Sequence, residues 1–362
     1  MLTTEFNNIV VRAIACTVPM QKIVNEAEYS ELFGERNVKN IIKSTGIKES
    51  YRCPEEQTVG DLGYVAAKEL MERENIDPAS IDILLFVSGY GDYIAPATAF
   101  VLQKRLGIGI DCIAYDINLG CSGFLYGIQA IGSMMQCSNA KRALLIVGDS
   151  TSKSVSPMDK SRMLFGDAGG AIIIEKRDNA PIMRFALRSD GNRFKNIIIP
   201  AGGYRKWEGA SKDRTEWFDG NTRCDYDLFM NGTDVFNFSI TDVPDMINEF
   251  MSEYNFTPDN FDCLLLHQAN KFILKHLAHK ANFSMDKVPI SLDRYGNSSA
   301  TTIPVTLCDS YANGEIRLLH TLMCSYGIGL SWGVAEVSID TAHLYPIIHT
   351  DNVYDDPGIT HE

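Results

Sequence analysis

The feature that most restricts the fold is a pattern that recurs across the chain. Ile81-Asp-Ile-Leu-Leu-Phe-Val-Ser88 is echoed 180 residues later by Phe261-Asp-Cys-Leu-Leu-Leu-His267. Leu119-Gly-Cys-Ser-Gly123, ahead of a helical pattern, is echoed 176 residues later by Tyr295-Gly-Asn-Ser-Ser299. A glycine-entered apolar strand near 166–174 has its counterpart at 327–339, about 161 residues on. Three echoes in one order describe two similar βαβ-rich halves whose corresponding strand ends meet at one place. The halves divide as 1–180 and 181–340. Residues 341–362, polar and holding Pro346 and Pro357, read as a peripheral tail.

Local patterns fill in the halves. Apolar runs bounded by turn residues predict strands near 9–15, 81–88, 113–119, 143–149, 165–174, 261–267, 318–324 and 326–339. Helical spacing is read at 25–44, 58–74, 96–106 with Pro96 in the first turn, 233–254, after His267 to about 281, and through Leu307 and Tyr311. Between 181 and 230 the pattern is irregular and glycine-rich, with Trp207 and Trp217, which suggests loops or an inserted cap.

Composition narrows the class. The 362 residues are 45% hydrophobic and 22% charged, enough for one large or two medium globular domains. A net charge of −13 argues against general binding to nucleic acid or an anionic membrane. Nine scattered cysteines with no C-x-x-C pair fit reduced thiols better than a disulfide framework or zinc site. The first residues carry no basic signal-peptide region and no apolar run is long enough to span a bilayer, so a cytoplasmic chain is expected.

Three polar residues stand at predicted strand ends, where α/β sheets place ligands. Cys121 sits where a strand turns into a helix bearing Phe124, Leu125, Ile128, Ile131, Met134 and Met135 at helical spacing. Free N–H groups at a helix start favour a thiolate, and Gly120 and Gly123 allow a tight turn. His267 follows a fully apolar strand directly, and Asn297 follows Gly296 at a turn. Taken singly, each has a bland reading: a structural thiol, a hydrogen-bonded core imidazole, a turn amide. Together they supply a nucleophile and two N–H donors for charge developing on a carbonyl, with a further backbone N–H from Tyr326-Gly-Ile-Gly329.

This set resembles the β-ketoacyl-acyl carrier protein synthase III family. The likeness rests on Gly120-Cys121-Ser-Gly-Phe, His267-Gln-Ala-Asn270, Tyr295-Gly-Asn297-Ser-Ser-Ala, Phe165-Gly-Asp-Ala-Gly and Gly329-Leu-Ser-Trp-Gly333, with 30 residues between His267 and Asn297. It spans about residues 6 to 339. The resemblance implies a thiolase fold, two duplicated α/β halves stacked as five αβαβα layers, acting as a homodimer. It implies that Cys121 takes an acyl group from acyl-CoA. His267 and Asn297 would then promote decarboxylation of malonyl-acyl carrier protein. The backbone N–H of Cys121 and one from Ile328 or Gly329 would hold the oxyanion, and Phe165 would line the acyl pocket. No metal or permanently bound cofactor is implied, and His276-x-x-His279 lacks a third ligand. The histidine–asparagine pair argues against the hydroxymethylglutaryl-CoA synthase branch, which uses a glutamate base.

Substrate-selecting positions depart from the family. Its tryptophan and arginine around the Thr-Gly-Ile turn are replaced by Asn40 and Ser44, which leaves Lys43 or Lys48 to meet CoA, or a protein-borne donor. Ala95 stands where a partner-subunit phenylalanine commonly closes the acyl pocket, leaving room for a longer or bulkier group. On the helix after His267, Lys271, Lys275 and His279 recur at i, i+4 and i+8, beside His276 and Lys280, giving a basic face with Lys271, Lys275 and Lys280 suited to an acidic carrier protein. The alternatives are an acyltransferase of the same fold, delivering the Cys121-bound acyl group to an alcohol or amine without decarboxylation, and a non-catalytic partner subunit, which the intact triad opposes.

Overall fold

The protein was analysed as a computed structural model, which describes residues 1–356 and 358. The first half contributes β1 (Ile9–Pro19), α1 (Val59–Arg73), β2 (Ile83–Ser88), α2 (Thr98–Leu106), β3 (Ile113–Asn118), α3 (Gly123–Gln136), β4 (Arg142–Asp149) and β5 (Ala168–Lys176). The second contributes β6 (Met183–Ser189), α4 (Gly232–Ile240), α5 (Asp242–Glu253), β7 (Cys263–Leu266), α6 (Lys271–Lys280), α7 (Thr302–Tyr311), β8 (Leu319–Gly327) and β9 (Ser331–Ile339).

The duplication seen in the sequence is a duplication of topology. In the first half β2 pairs parallel with β4, β4 antiparallel with β5, and β5 antiparallel with β1. In the second, β7 pairs parallel with β8, β8 antiparallel with β9, and β9 antiparallel with β6. All three sequence echoes fall on equivalent elements. The two sheets touch where Ile339 of β9 meets Val11 of β1.

Packing follows from which faces are apolar. One core combines Phe124, Leu125 and Ile128 of α3 and Ile303 and Leu307 of α7 with residues from both sheets, so α3 and α7 form the middle layer. Ala66 and Leu70 of α1 with Leu102 of α2 cover the outer face of the first sheet. Met246 and Phe250 of α5 with Leu274 and Leu277 of α6 cover the second. The result is the expected five-layered thiolase arrangement. β2 and β4 are buried on both faces and read as continuous apolar runs for that reason. No helix among the described residues is long and apolar enough to cross a membrane.

Several local expectations change. The helix read over 25–44 is two, Asn25–Phe33 and Glu35–Thr45, broken at Gly34, whose φ of 83° leaves the helical region. The one read over 233–254 is also two, α4 and α5, with Thr241 between them. The helix expected from Pro96 starts at Thr98. Part of the irregular 181–230 region is β6, a strand of the second sheet. The tail is not peripheral up to Asp356: Leu344 is fully buried, Ile348–Thr350 adds a parallel strand beside Thr17–Pro19, and Gln57 Nε2 donates to the Thr350 and Asn352 carbonyls. Contacts between positions so far apart in the chain leave no mark in the tail's own pattern.

Candidate active site

Cys121, His267 and Asn297 line one cavity of about 250 Å³. Cys121 lies between β3 and α3, where the Gly123 N–H donates to the Gly120 carbonyl at 2.7 Å. A Cβ at Gly123 would stand 2.6 Å from Val87, so only glycine lets α3 start flush against β2. The thiol faces Ser299 Oγ at 3.7 Å, and a Cβ at Gly327 would come within 3.0 Å of Sγ. The backbone at the end of β8 therefore forms the wall beside the thiol.

His267 is fixed by the end of β7, where its N–H donates to the Cys324 carbonyl at 2.8 Å. Its ring is buried, packs edge-on against Tyr326, and places Nδ1 2.7 Å from Thr302 Oγ1. Thr302 Oγ1 also lies 3.1 Å from the Ser299 carbonyl. With the hydroxyl hydrogen on that carbonyl, Nδ1 is the donor and Nε2 keeps a lone pair. With the hydroxyl turned to Nδ1, Nε2 carries the hydrogen. The threonine accommodates both tautomers.

Asn297 is held by the Phe165-Gly-Asp segment. Its N–H donates to the Leu164 carbonyl at 2.8 Å, and its carbonyl accepts from Gly166 N–H at 3.1 Å. A Cβ at Gly166 would lie 2.2 Å from the Tyr295 carbonyl oxygen, so this close crossing requires glycine. Asp167, fully enclosed, accepts from Cys53 N–H at 2.9 Å and Ser152 N–H at 3.0 Å and braces the segment. The Ser299 N–H can only donate, so its partner 2.9 Å away on Asn297 is Oδ1. That leaves the Nδ2 hydrogens for the cavity.

Electrostatics set the resting state. Burial pushes the Cys121 thiol up to about 12, with the Ser299 hydroxyl pulling against the rise. Burial pushes His267 down to about 3. The expected thiolate at the helix start is thus corrected: desolvation outweighs the helix end, and the resting pair is a neutral thiol and a neutral imidazole. Among the described residues no cluster could hold a metal ion.

Comparison with known proteins agrees with this geometry. Residues 115–191 match the model for 3-oxoacyl-[acyl-carrier-protein] synthase III, and residues 251–339 match the model for its C-terminal part. A β-ketoacyl-[acyl-carrier-protein] synthase III of Vibrio vulnificus is 32% identical over 302 residues, 82% of this chain and 89% of that protein. The chain belongs to the 3-oxoacyl-[acyl-carrier-protein] synthase III family. A relative of the same description from Aliivibrio fischeri is 32% identical over 299 residues, 82% of this chain and 89% of its own length. The crystal structure of a 3-oxoacyl-(acyl-carrier protein) synthase from Burkholderia xenovorans superposes with a TM-score of 0.90 at 33% identity, covering 96% of this chain and 99% of that one.

Against that family frame, the expected site residues divide. Phe165 and Ile328 line the cavity with the three polar residues. Gly329 is not on the wall: the turn after Ile328 is drawn toward Asp190, whose carbonyl accepts from Leu330 N–H at 3.1 Å, and Gly327 takes the place beside the thiol. Ala95 is exposed and lies outside its own chain's cavity. A surface groove of about 520 Å³ shares Phe236 and Asn270 with the cavity and so lies beside it. Lys271 and Lys275 line that groove, and so do Lys43 and Ser44. Lys280, Asn40 and Lys48 do not. Nine residues beyond Lys271, Lys280 is half a turn out of phase on α6.

The sequence reading missed Asp149, Ser299 and Tyr90, all on the cavity wall, and Thr302 behind His267. A usable signal existed for Asp149. It closes the apolar run of β4 just as His267 follows that of β7.

Proposed function

We propose that the chain is a decarboxylating condensing enzyme that loads an acyl group on Cys121 and extends it with malonyl-acyl carrier protein. The observation that carries this reading is the meeting of Cys121, His267 and Asn297 from both halves in one enclosed cavity. His267 Nε2 accepts the Cys121 proton as the sulfur attacks the donor thioester. The backbone N–H groups beside the thiol hold the oxyanion, and the departing thiolate of the donor takes the proton from the imidazolium. In the second half-reaction malonyl-carrier protein enters. Its carboxylate leaves as carbon dioxide, and the electron pair becomes an enolate whose oxygen accepts from Asn297 Nδ2 and His267 Nε2–H. The enolate carbon attacks the acyl-cysteine carbonyl, the new carbon–carbon bond forms, and the Cys121 thiolate is expelled and takes up a proton from solvent. The tautomer freedom that Thr302 gives His267 suits both steps.

The groove supports the choice of carrier. Lys43, Lys271 and Lys275 surround Phe272, which is 56% exposed, so an anionic carrier and an apolar thioester arm are both served. A homodimer is supported by β3, which ends the first sheet and leaves Ile113 and Tyr115 exposed along its free edge, beside Ile110 at 96% exposure. Exposed Ala95 would reach a partner's cavity in such a dimer. CoA and carrier thioesters enter this scheme as substrates, and no resident cofactor takes part.

The test is release of labelled carbon dioxide from malonyl-carrier protein in the presence of short acyl-CoA donors. Wild type should release it with formation of 3-oxoacyl product, and Cys121→Ala should not. Purified protein that yields neither carbon dioxide nor product with any donor would refute the proposal. Acylation of Cys121 without use of malonate would instead support acyl transfer to an alcohol or amine.

A further inference from the structure

Six non-glycine residues among those described have a left-handed backbone, and five of them are asparagines, a type that tolerates it well. The sixth is Ser299, with φ at 52°. A backbone of that kind is strained for a residue with a Cβ and persists where its surroundings over-determine it. Ser299 is buried on the cavity wall, and each of its polar groups is committed to a different residue of the site. Its N–H donates to Asn297 Oδ1 at 2.9 Å. Its carbonyl lies 3.1 Å from Thr302 Oγ1, which in turn stands 2.7 Å from His267 Nδ1. Its Oγ lies 3.7 Å from Cys121 Sγ and is, among the described residues, the side-chain hydrogen-bond partner of that sulfur. Gly120 makes room for the hydroxyl, since a Cβ there would stand 3.2 Å from Ser299 Oγ.

We propose that Ser299 is a further catalytic residue, its hydroxyl donating a hydrogen bond to the Cys121 sulfur when that sulfur carries negative charge. The inference rests on the proposed acylation of Cys121. A neutral thiol and a hydroxyl can share a hydrogen in either sense, but a thiolate only accepts, so the hydroxyl donates to it. Burial sets the need, because it penalises a charged sulfur in this cavity. Charge arises on the sulfur twice. In acylation His267 Nε2 takes the thiol proton, the sulfur–carbon bond forms and the donor thiolate leaves. In condensation the bond from sulfur to the acyl carbon breaks, and Cys121 departs as a thiolate that takes up a proton from solvent. Ser299 keeps its own hydrogen throughout and eases both steps. The other titratable side chains on this wall are Tyr90, Asp149, His267 and Tyr326. An ionised Asp149 opposes the thiolate.

The Ser299 hydroxyl and the Ala300 N–H also steady the Asp149 carboxyl, so the competing role is a relay in which Ser299 passes the Cys121 proton to Asp149. The two roles separate kinetically. Iodoacetamide labelling of the Cys121 peptide, followed by mass spectrometry between about pH 7 and 9, reads thiolate formation without an oriented carbonyl. Acylation by butanoyl-N-acetylcysteamine is followed by intact mass. In Ser299→Ala both rates should fall about 10- to 100-fold at every pH, the range a hydrogen bond to a charged group supports. Ser299→Gly removes the same hydroxyl while relieving the left-handed backbone, so it should show the same loss with an unchanged melting temperature. Asp149→Asn should label faster than wild type, because the charge that opposes the thiolate is gone. Both serine variants reacting within about threefold of wild type would overturn the proposal. Faster labelling in them would also overturn it, because a residue that only holds the site together admits the reagent when it is removed. Slowing in Asp149→Asn equal to that in Ser299→Ala would overturn it in favour of the relay. If iodoacetamide labels wild-type Cys121 but no thioester acylates it, the proposed function falls and the hydroxyl is judged by labelling alone. If thioesters acylate wild type and both serine variants equally, only the role of Ser299 falls.

Discussion

Gly327→Ala is the sharpest probe of the surroundings of the Cys121 thiol. Gly327 lies outside the left-handed backbone region, so alanine brings no conformational penalty and the effect comes from one methyl group. That Cβ would stand 2.6 Å from Cys121 Cβ and 3.0 Å from its Sγ. Carbon atoms in contact settle at roughly 3.5–4.0 Å, so relief requires about 1 Å of movement. Cys121 has little room to retreat, since Phe124, Leu125 and Ile128 of α3 are fully buried and Gly123 already abuts Val87. Overpacking of this kind costs about 1–3 kcal/mol in stability. Displacing a reacting atom by about 1 Å costs on the order of 10²-fold in rate. Intact-mass kinetics should therefore show acylation by a thioester slowed about 100-fold, with labelling by iodoacetamide, which needs no oriented carbonyl, slowed far less. Gly232→Ala is the matched control, because Gly232 also lines the cavity but a Cβ there meets nothing within 4 Å. If Gly327→Ala acylates within about threefold of wild type and melts unchanged, the thiol is not confined as described and the reasoning is wrong.

Three further outcomes follow from the same geometry. Tyr326→Phe deletes a buried hydroxyl with no partner among the described residues and should raise stability by about 1 kcal/mol in urea unfolding; a loss would mean that the hydroxyl is satisfied in solution. Burial lifts the Asp149 carboxyl to about 6, so its relative stabilisation is complete below the unfolded carboxyl range and is lost as pH rises through 6. Asp149→Asn should accordingly be more stable than wild type by about 1–3 kcal/mol at pH 7, with the difference shrinking toward pH 4; a pH-independent difference would contradict the assigned ionisation. Reversing charge in the groove with Lys271→Glu and Lys275→Glu should raise KM for malonyl-carrier protein about tenfold at low salt and leave iodoacetamide labelling of Cys121 unchanged, whereas Lys280→Glu, outside the groove, should do neither.

How much of this was legible depended on the range of the interaction that fixes each feature. β2, β4 and β7 are buried on both faces, and their unbroken apolar runs announced them. The pairing order that makes the halves equivalent could be read only because it occurs twice in one sequence. β3 differs: its apolar run is broken by polar residues, and it is an edge strand with Ile113 and Tyr115 exposed. The breaks at Gly34 and Thr241 illustrate a different limit, since helical periodicity continues across a turn that only the backbone angles reveal.

The site was legible in the second half and half-hidden in the first, and the duplication explains why. The equivalent strands β2 and β7 deliver Ser88 and then His267 to their ends, while β4 and β8 deliver Asp149 and Gly327. The helices that follow start beside Cys121 in one half and just after Asn297 in the other. In the second half the polar strand-end group, His267, lies 2.7 Å from Thr302 Oγ1 through Nδ1 and lines the cavity. In the first half the Ser88 hydroxyl stands between the Tyr90 carbonyl at 2.8 Å and Asp149 Oδ1 at 2.9 Å, and it is Asp149 at the end of β4, not Ser88 at the end of β2, that lines the cavity. A search for isolated polar residues at apolar strand ends finds His267 because it acts alone. The same search along β4 stops at Asp149, and what it leaves unseen is the partner 61 positions away, Ser88.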